Sequence, residues 1–339
     1  MVKIHILFNI MNKPSGGGNN FLSSLKKYLI SMNSYEENIN DAHAILFNSH
    51  HLIHKVVKLK KMFPDKVFIH RIDGPMRLYN TFNDKRDLIV NTSNEFLADA
   101  TIFQSEWSKK QSHQMGLKKN LYETVILNAP DNKIFNRNMK EPFLVNRRLR
   151  LVASSWSSNI KKGFKVYEWL DNNLDFQKFE MTFVGDSPIT FNNIRCIPTV
   201  ASKELSHILK KNDIYITASQ NDPCSNSLIE AMHCGLPAVA LKEGGHIEII
   251  RKGGELFCNV NQLKDCLDKV INNYEEYQKN IDLPDINQVG HDYVKFISYI
   301  NRETIQKKYA PKKVSQKGRL KIFYLLLMTR VKSYFNNFF

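Results

Sequence analysis

Long hydrophobic runs and paired cysteines are lacking in this sequence of 339 residues, and we expect no cleavable leader. Its five cysteines form no CxxC pair, which argues against a disulfide framework or a zinc site and favours a reducing, cytosolic compartment. The N-terminal run VKIHILFNIM lacks a basic leader and a small-residue cleavage site, so we expect a buried strand instead of a signal peptide. The 42% hydrophobic and 24% charged content is typical of a globular protein long enough for two domains.

Acidic residues are absent after Glu303, and this absence concentrates the positive charge of the chain. Nine Lys and Arg residues follow Glu303, so this short region contributes nine positive charges to a formal net charge of +15. The same region contains an apolar run of seven residues, Ile322 to Met328, far shorter than the roughly 20 that span a bilayer. Basic charge interleaved with Phe, Tyr and Leu suits a helix on an anionic membrane surface, and the alternatives are a helix packed on the N-terminal domain or a disordered tail. We expect no nucleic-acid partner, because no recognised nucleic-acid motif accompanies the charge.

Short buried runs that suit strands alternate with amphipathic runs that suit helices. The alternation begins at VKIHILFNI, is interrupted by the polar stretch DNKIFNRNMKEPFLVNRR and restarts at LRLVASSW. This pattern predicts an α/β fold with parallel sheets. We expect two doubly wound Rossmann-like domains facing each other across a cleft, 1–143 and 144–290, followed by C-terminal helices that return to the first domain and a basic aromatic tail, 291–339. Ligands of such sheets bind at the carboxyl ends of the strands.

Three strand-to-helix loops carry candidate site residues. The loop NKPSGGGNNF suits either close approach to an anion at a helix start or an ordinary flexible turn, and it does not match GxGxxG. IHRIDGPMRLY places Arg71, Asp73 and Arg77 after a strand, as site residues or as a surface turn. Lys161 and Lys162 precede Gly163 at a helix start, where two lysines are unfavourable unless an anion lies between them.

A fourth stretch, Asn221 to Ile250, combines a polar loop with a helix and a Gly pair. Asp222 lies in the loop, and Glu230 lies one turn into the helix among apolar neighbours. A carboxylate in that position is costly to bury unless it receives hydrogen bonds, which sugar hydroxyls can donate. The amides of residues 225–227 are placed for a phosphate at the helix start.

These motifs resemble the retaining, nucleotide-sugar-dependent glycosyltransferases of family four, which have the GT-B fold. The family motif is an acidic residue, seven others and Glu, then Ala-Met-x-Cys-Gly-x-Pro-x-Val and Gly-Gly-x-x-Glu. Here these are Asp222, Glu230, AMHCGLPAV and GGHIE. GGGN, ADATIFQSEWSKK, NAPDNKIF, KKG and FVGD are further pieces of the pattern, so the resemblance covers roughly residues 1–300 in order.

The resemblance implies a role for each matching residue. Glu230 would bind the ribose hydroxyls, Asp222 the donor sugar, and Lys162 with the 225–227 amides the leaving diphosphate. The predicted catalytic residues are Asp222, Asp73 and Lys162. The predicted donor-binding residues are Glu230, Ser225, Asn226, Ser227, Lys161 and Gly185. The predicted residues of the acceptor side or phosphate loop are Gly16, Gly17, Gly18 and Arg71.

The sequence also departs from the family. Asp222 stands where Glu is usual, which shortens its reach to the sugar. SSWSSN replaces the usual Gly-Arg pair, so one phosphate-binding Arg is missing unless Arg71 or another basic residue compensates. No DxD motif stands in a suitable place, and the resemblance implies chemistry that needs neither a metal nor a cofactor.

We therefore expect a hexosyltransferase that moves a sugar from a nucleotide diphosphate to a hydroxyl of a glycan or lipid-linked acceptor, with retention. We expect the enzyme to act in the synthesis of surface polysaccharide or glycolipid. We expect it in the cytoplasm, bound to the inner face of a membrane by its tail. A nucleotide-sugar epimerase on the same fold, which would turn over donor without acceptor, is one alternative. A non-catalytic sugar-nucleotide-binding protein is the other.

Overall fold

The structure is a computed structural model that describes residues 1–11, 17–81 and 83–335, with side chains described as far as residue 329. The predicted site residue Gly16 therefore lies outside the described residues. The chain forms two compact units: unit 1 comprises residues 1–9, 25–127 and 287–339, and unit 2 comprises residues 10–24 and 128–286. Each unit contains one parallel β-sheet, as the alternation of strands and helices predicts.

Unit 1 is built on a five-stranded sheet whose strands stand in sequence order. The strands are β1 (Ile4–Leu7), β2 (Ala44–Asn48), β3 (Val67–Ile72), β4 (Ala100–Phe103) and β5 (Tyr122–Val125). Strands β1 to β4 are buried along their whole length, which explains their nearly continuous hydrophobic sequences. The helices between them in the sequence are α1 (Gly17–Ser31), of which residues 17–24 belong to unit 2, α2 (Ile53–Met62), α3 (Met76–Tyr79), α4 (Arg86–Phe96) and α5 (Glu106–Gln114).

Unit 2 is built on a six-stranded sheet in the order β11-β10-β9-β6-β7-β8. The strands are β6 (Leu149–Ser155), β7 (Phe179–Gly185), β8 (Arg195–Ile197), β9 (Ile214–Thr217), β10 (Ala238–Leu241) and β11 (Gly254–Phe257), and the helices are α6 (Phe164–Asn173), α7 (Ser202–Lys210), α8 (Asn226–His233), α9 (His246–Ile250), α10 (Leu263–Asn272) and α11 (Tyr274–Lys279). The order reverses between β6 and β9, so the loops after these two strands diverge and leave a crevice at the edge of the sheet.

Two long helices follow, α12 (Ile286–Ile305) and α13 (Gln316–Phe335). Helix α13 packs on unit 1: Ile322 is 1% exposed and belongs to the apolar cluster that contains Leu97. A Cβ at Gly318 would lie 2.7 Å from the Phe96 ring, so α13 approaches α4 closely at that point. The tail is therefore a helix fixed to unit 1 as far as residue 329, in agreement with one of the three alternatives.

The segment before α13 is held by Asp99, a buried carboxylate that receives four hydrogen bonds. One oxygen accepts from the Lys60 ammonium at 2.5 Å and from the Phe68 amide at 2.7 Å. The other accepts from the Tyr309 hydroxyl at 3.0 Å and the Lys312 amide at 2.7 Å. A buried charge is stable only when it is paired and hydrogen-bonded in this way, so Asp99 joins β3, α2 and the C-terminal segment within unit 1.

Candidate functional site

A polar pocket of about 200 Å³ opens at the strand-order reversal of unit 2. It is lined by Gly17, Ser154, Ser155, Trp156, Ser157, Lys162, Ser219, Asp222, Cys224, Ser225, Asn226, Ser227 and Glu230. Most of these residues belong to the loops after β6 and β9 or to the first turns of α8. The lining contains seven of the predicted site residues, which lie far apart in the sequence.

Lys162 and Asp222 form an ion pair at the pocket wall. The Lys162 ammonium donates to the Asp222 carboxylate at 2.9 Å, with 31% of the lysine side chain and 10% of the aspartate side chain exposed. Burial by itself would raise the pKa of Asp222, but the charge of Lys162 and the other charges and donors around it hold that pKa below its ordinary value. Asp222 therefore stays ionised, and Lys162 stands beside it with part of its surface open to a ligand.

The Asp222 loop rests on the Gly pair of the sequence motif. Gly244 has φ +62°, and a Cβ there would overlap the Asp222 carbonyl oxygen, so glycine is needed for both the backbone conformation and the space. The Gly245 amide donates to the same carbonyl at 2.8 Å. His246 is fully buried, and burial lowers its pKa even though the nearby Asp222 raises it. The Gly-Gly-His segment thus packs against the backbone of Asp222 and fixes its position.

Glu230 is a buried carboxylate that lacks a partner. It is 4% exposed, and among the residues that the structure describes no group donates a hydrogen bond to its side chain. Burial raises the pKa of Glu230 to about 8, well above its ordinary 4.5, and no neighbouring charge offsets the effect. Buried polar groups in proteins are nearly always hydrogen-bonded, so a carboxyl group without a donor at a pocket wall is a candidate for binding a ligand that supplies one.

The first turn of α8 also lines the pocket. The leading amides of a helix have no acceptor within the helix, and they carry its positive dipole end. Asn226 is oriented by Asn128, whose side-chain amide donates to the Asn226 side-chain oxygen at 3.0 Å. A Cβ at Gly17 would overlap the Asn226 side chain, whereas one at Gly18 would meet no atom within 4 Å. Only Gly17 of the described pair is therefore required by close packing at the pocket.

Two further predicted donor residues lie outside the pocket lining. Lys161 precedes Lys162, and its carbonyl accepts a hydrogen bond from the Gln220 amide at 2.7 Å, so its backbone supports the pocket loop. Gly185 ends β7 with φ +124°, and a Cβ there would overlap the Ser155 carbonyl oxygen. Gly185 therefore lets the end of β7 lie close to Ser155, the last residue of β6. Its role is structural, next to the pocket.

The two predicted residues of unit 1, Arg71 and Asp73, form a separate cluster at the end of β3. Arg71 is fully buried, and its guanidinium donates to Asn48, Asp73 and Gln104. Asp73 keeps 23% of its side chain exposed. Burial would raise the pKa of Asp73, but Arg71 and hydrogen bonds from Ser49 and Asn48 lower it below its usual value. Asp73 is thus an ionised, partly exposed carboxylate, and Arg71 lies beneath it instead of at a surface where it could meet a phosphate.

Several pocket residues were not predicted from the sequence. They are Ser154, Ser155, Trp156, Ser157, Ser219, Cys224 and, outside the lining, Asn128 and His246. The segment SSWSS lies at the end of β6, where the strand order of the sheet reverses. Ligands of such sheets bind at this reversal, so the strand order, which the sequence does not give, would have identified these residues as pocket residues. No three His, Cys, Asp or Glu side chains within the described ranges lie close enough to hold a metal ion. The expectation that no metal takes part stays a prediction.

Comparisons with known proteins agree with this architecture. The family model of the glycosyl transferases group 1 matches residues 190–282, which include β9, α8 and the Gly pair. A probable sucrose-phosphate synthase of Thermosipho melanesiensis is 26% identical over 160 residues, which cover 43% of this chain and 37% of that protein. The matched segment is thus little more than a third of that relative's length.

Solved structures extend the likeness to nearly the whole chain. A sucrose-phosphate synthase from Thermosynechococcus elongatus has a TM-score of 0.63 at 12% identity and covers 99% of this chain and 100% of its own. Anabaena HepE in complex with UDP and glucose has a TM-score of 0.60 at 15% identity, with 91% and 99% covered. The trehalose-6-phosphate synthase structure of E. coli bound with UDP-2-fluoro glucose has a TM-score of 0.59 at 12% identity, with 83% and 77% covered. The chain therefore has the predicted GT-B fold and carries the pattern of the glycosyl transferases group 1 over residues 190–282, which confirms the resemblance to the family-four glycosyltransferases.

Proposed function

We propose that this protein is a retaining glycosyltransferase that moves a hexosyl group from a nucleotide diphosphate sugar to an acceptor hydroxyl. Glu230 carries the proposal, because it is a buried carboxylate at the pocket wall to which no described group donates a hydrogen bond. The vicinal hydroxyls of a ribose are two donors that could reach one carboxylate. UDP is the first nucleotide to test, since HepE was solved with UDP and the trehalose-6-phosphate synthase structure with UDP-2-fluoro glucose.

The charges around the pocket suit the departure of a diphosphate. Lys162 supplies a partly exposed ammonium, and the first-turn amides of α8 supply dipoles that do not need to reorient during the reaction. Preorganised groups of this kind stabilise the charge that develops on the leaving phosphate oxygen as the bond to the sugar breaks, and this electrostatic effect is usually the largest part of catalysis. Asp222 would accept hydrogen bonds from hydroxyls of the donor sugar. The diphosphate would take over the Lys162 charge that Asp222 balances in the absence of ligand.

Unit 1 would bind the acceptor around Asp73. This carboxylate is held by Arg71 and accepts hydrogen bonds, while part of its surface stays open to a hydroxyl group. A glycan or a lipid-linked sugar is the acceptor class that we propose. Synthesis of surface polysaccharide or glycolipid in the cytoplasm, at the inner face of a membrane, would be the setting. No helix among the described residues is long and apolar enough to cross a membrane.

The test is calorimetric titration with UDP, GDP, ADP and their glucose conjugates, on the wild type and on Glu230→Gln. A charge-assisted hydrogen bond is worth roughly 1.5–3 kcal/mol, so we expect the variant to bind the preferred nucleotide about 10- to 150-fold more weakly. Glu168→Gln makes the same change at an exposed position of α6 and is the matched control. Equal affinity of wild type and Glu230→Gln would remove the basis for the donor site.

Product analysis then separates the enzymatic alternatives. With the preferred nucleotide sugar and a set of glycan and lipid-linked acceptors, a transferase gives a glycosylated product whose anomeric configuration, measured by NMR, matches that of the donor. An epimerase would convert the nucleotide sugar without any acceptor. Tight binding with neither conversion nor transfer across the acceptor set would support the non-catalytic alternative.

A further inference from the structure

Helix α13 has two apolar faces, and only one of them is covered. The inner face contains Ile322, which is 1% exposed, and Leu325 and Leu326, which pack on the same cluster of unit 1. The outer face consists of Leu320, Phe323, Tyr324, Leu327 and Met328, which are 60%, 61%, 60%, 46% and 38% exposed. These five residues follow the spacing i, i+3, i+4, i+7, i+8, so they form one continuous stripe along the helix.

Such a stripe is unusual on the surface of a protein in water. Single exposed hydrophobic residues are common, but a contiguous apolar stripe indicates a surface that is covered in the working state. The inner face fixes the helix to unit 1, as the close approach of Gly318 to Phe96 shows, so the outer face cannot be buried by simple rotation of the helix. Among the described residues the stripe is therefore uncovered and available to an external partner.

Charge identifies the chemistry of that partner. Lys317, Arg319 and Lys321 are exposed, and the geometry of 3.6 residues per turn places Arg319 on one flank of the stripe, Lys321 on the other and Lys317 at its N-terminal end. Lys313 is exposed just before the helix, and no acidic residue occurs between Glu303 and the C-terminus. Apolar residues bordered on both sides by basic ones, along a helix that lies flat on its domain, fit the headgroup region of an anionic bilayer.

We propose that the outer face of α13 docks unit 1 on a membrane that contains anionic lipid, with the apolar stripe among the acyl chains and the flanking basic residues among the headgroups. This proposal names the protein surface that would hold the enzyme at the membrane location proposed above. It rests on α13 alone and does not depend on the donor site.

Vesicle co-sedimentation of the full chain tests the proposal. We expect the protein to sediment with vesicles of phosphatidylcholine and phosphatidylglycerol at low salt, and to remain in the supernatant with phosphatidylcholine alone. Phe323→Ser with Leu327→Ser should weaken binding about tenfold or more, because it removes two apolar side chains from the stripe. Leu121→Ser with Ile305→Ser is the matched control, since these residues of unit 1 are 75% and 72% exposed and lie outside α13.

A second pair of variants tests the charges. Replacing Lys317, Arg319 and Lys321 with Gln should weaken binding to the anionic vesicles on the order of 100-fold and reduce its salt dependence. The control replaces Lys55, Lys58 and Lys61, three exposed lysines of α2, and should bind within about threefold of wild type. Equal losses from the two triple variants would mean that net charge, and not the α13 surface, attracts the vesicles.

Two other results would overturn the proposal. Wild-type protein that stays in the supernatant with anionic vesicles at low salt does not dock on such membranes. A concentration-dependent dimer that the Phe323→Ser, Leu327→Ser variant abolishes, and that anionic vesicles do not dissociate, would identify a second copy of the chain as the occupant. Glu230→Gln should sediment like the wild type, so loss of the donor site and loss of membrane docking are separately visible.

Discussion

Two buried carboxylates, one in each unit, differ in their partners. Asp99 in unit 1 is 1% exposed and accepts four hydrogen bonds, one of them from the Lys60 ammonium. Glu230 in unit 2 is 4% exposed and receives none from the described residues. Burial is therefore the same, while only Asp99 is satisfied within the protein. The comparison separates a carboxylate that the fold satisfies from a carboxyl group that the described residues leave without a donor, a distinction that neither burial nor residue type provides.

The largest effect should come from breaking the satisfied site. Asp99→Asn leaves the Lys60 ammonium, whose side chain is 0% exposed, without its counter-charge. Losing one partner of a buried pair costs about 3–5 kcal/mol, so the free energy of unfolding measured in urea should fall by that amount. Asp268→Asn, the same change at an exposed position of α10, should alter it by less than about 0.5 kcal/mol. A loss below about 1 kcal/mol at Asp99 would contradict the comparison.

The next largest effect should come from removing the Lys162 charge. Lys162 is intermediate between Asp99 and Glu230, because it has a partner, Asp222, and is also partly exposed. If Lys162 stabilises the leaving diphosphate, Lys162→Ala should lower kcat about 100-fold. Its melting temperature should also fall, because Asp222, with only 10% of its side chain exposed, loses its counter-charge. Lys161→Ala is the neighbouring control and should lower kcat by about threefold or less, since Lys161 is not among the pocket-lining residues. Equal losses from the two variants would show that only the general positive charge matters.

The Gly17 contact provides a smaller, geometric test at the donor side. Gly17→Ala forces the Asn226 side chain away from its hydrogen bond with Asn128, so nucleotide affinity should fall about tenfold, which corresponds to about 1.4 kcal/mol. Gly18→Ala meets no atom within 4 Å and lies in the same helix, so it should leave affinity unchanged and raise stability by about 0.5–1 kcal/mol. Titration calorimetry of both variants would decide. Similar affinities would show that Asn226 does not shape the site.

The last expected effect is a pH dependence of stability at Glu230. Its pKa is about 8 in the folded protein against an ordinary 4.5, so the folded state holds the proton more tightly than the unfolded chain. The stabilising effect of that proton is present below about pH 4.5 and is lost as the pH rises through about 8. Glu230→Gln cannot titrate, so its melting temperature relative to wild type should increase by roughly 3 °C or more between pH 5 and pH 8. A constant difference across this range would mean that Glu230 is satisfied in a way the structure does not show.

The sequence predicted the strands and the polar loop before α8 well because each is encoded locally. The strands of unit 1 are short apolar runs, and the loop before α8 is a polar insertion between a strand and a helix. Helix α4 was missed, since its face toward β3 is polar: Asn94 accepts from the side chains of His70 and Thr101, which masks the apolar period. Strand β11 was missed because it begins at Gly254, next to a second glycine, a sequence more typical of a turn.

What the sequence could not provide was the pairing of distant residues. Arg71 was predicted as a site residue of the acceptor side or phosphate loop, or as part of a surface turn, but three side chains from neighbouring strands and loops enclose its guanidinium. The contact between Gly17 and Asn226 depends on two segments more than 200 positions apart. Their meeting follows from the topology, which no local pattern contains. The serines after β6 likewise became site residues only once the reversal of strand order was visible.

The four donors of Asp99 have a consequence for biosynthesis. Lys60 and Phe68 are made before Asp99, but the Lys312 amide is separated from it by 213 positions. At about 5–20 residues per second the ribosome needs on the order of 10–40 s to reach Lys312. During that interval the nascent chain contains nearly all of the first sheet and all of the second, while Asp99 still lacks two of its donors and the cluster around Leu97 lacks Ile322. Unit 1, whose sheet is translated first, is thus the last unit to gain all of its contacts, and the apolar cluster around Leu97 stays incomplete while the second sheet is synthesised.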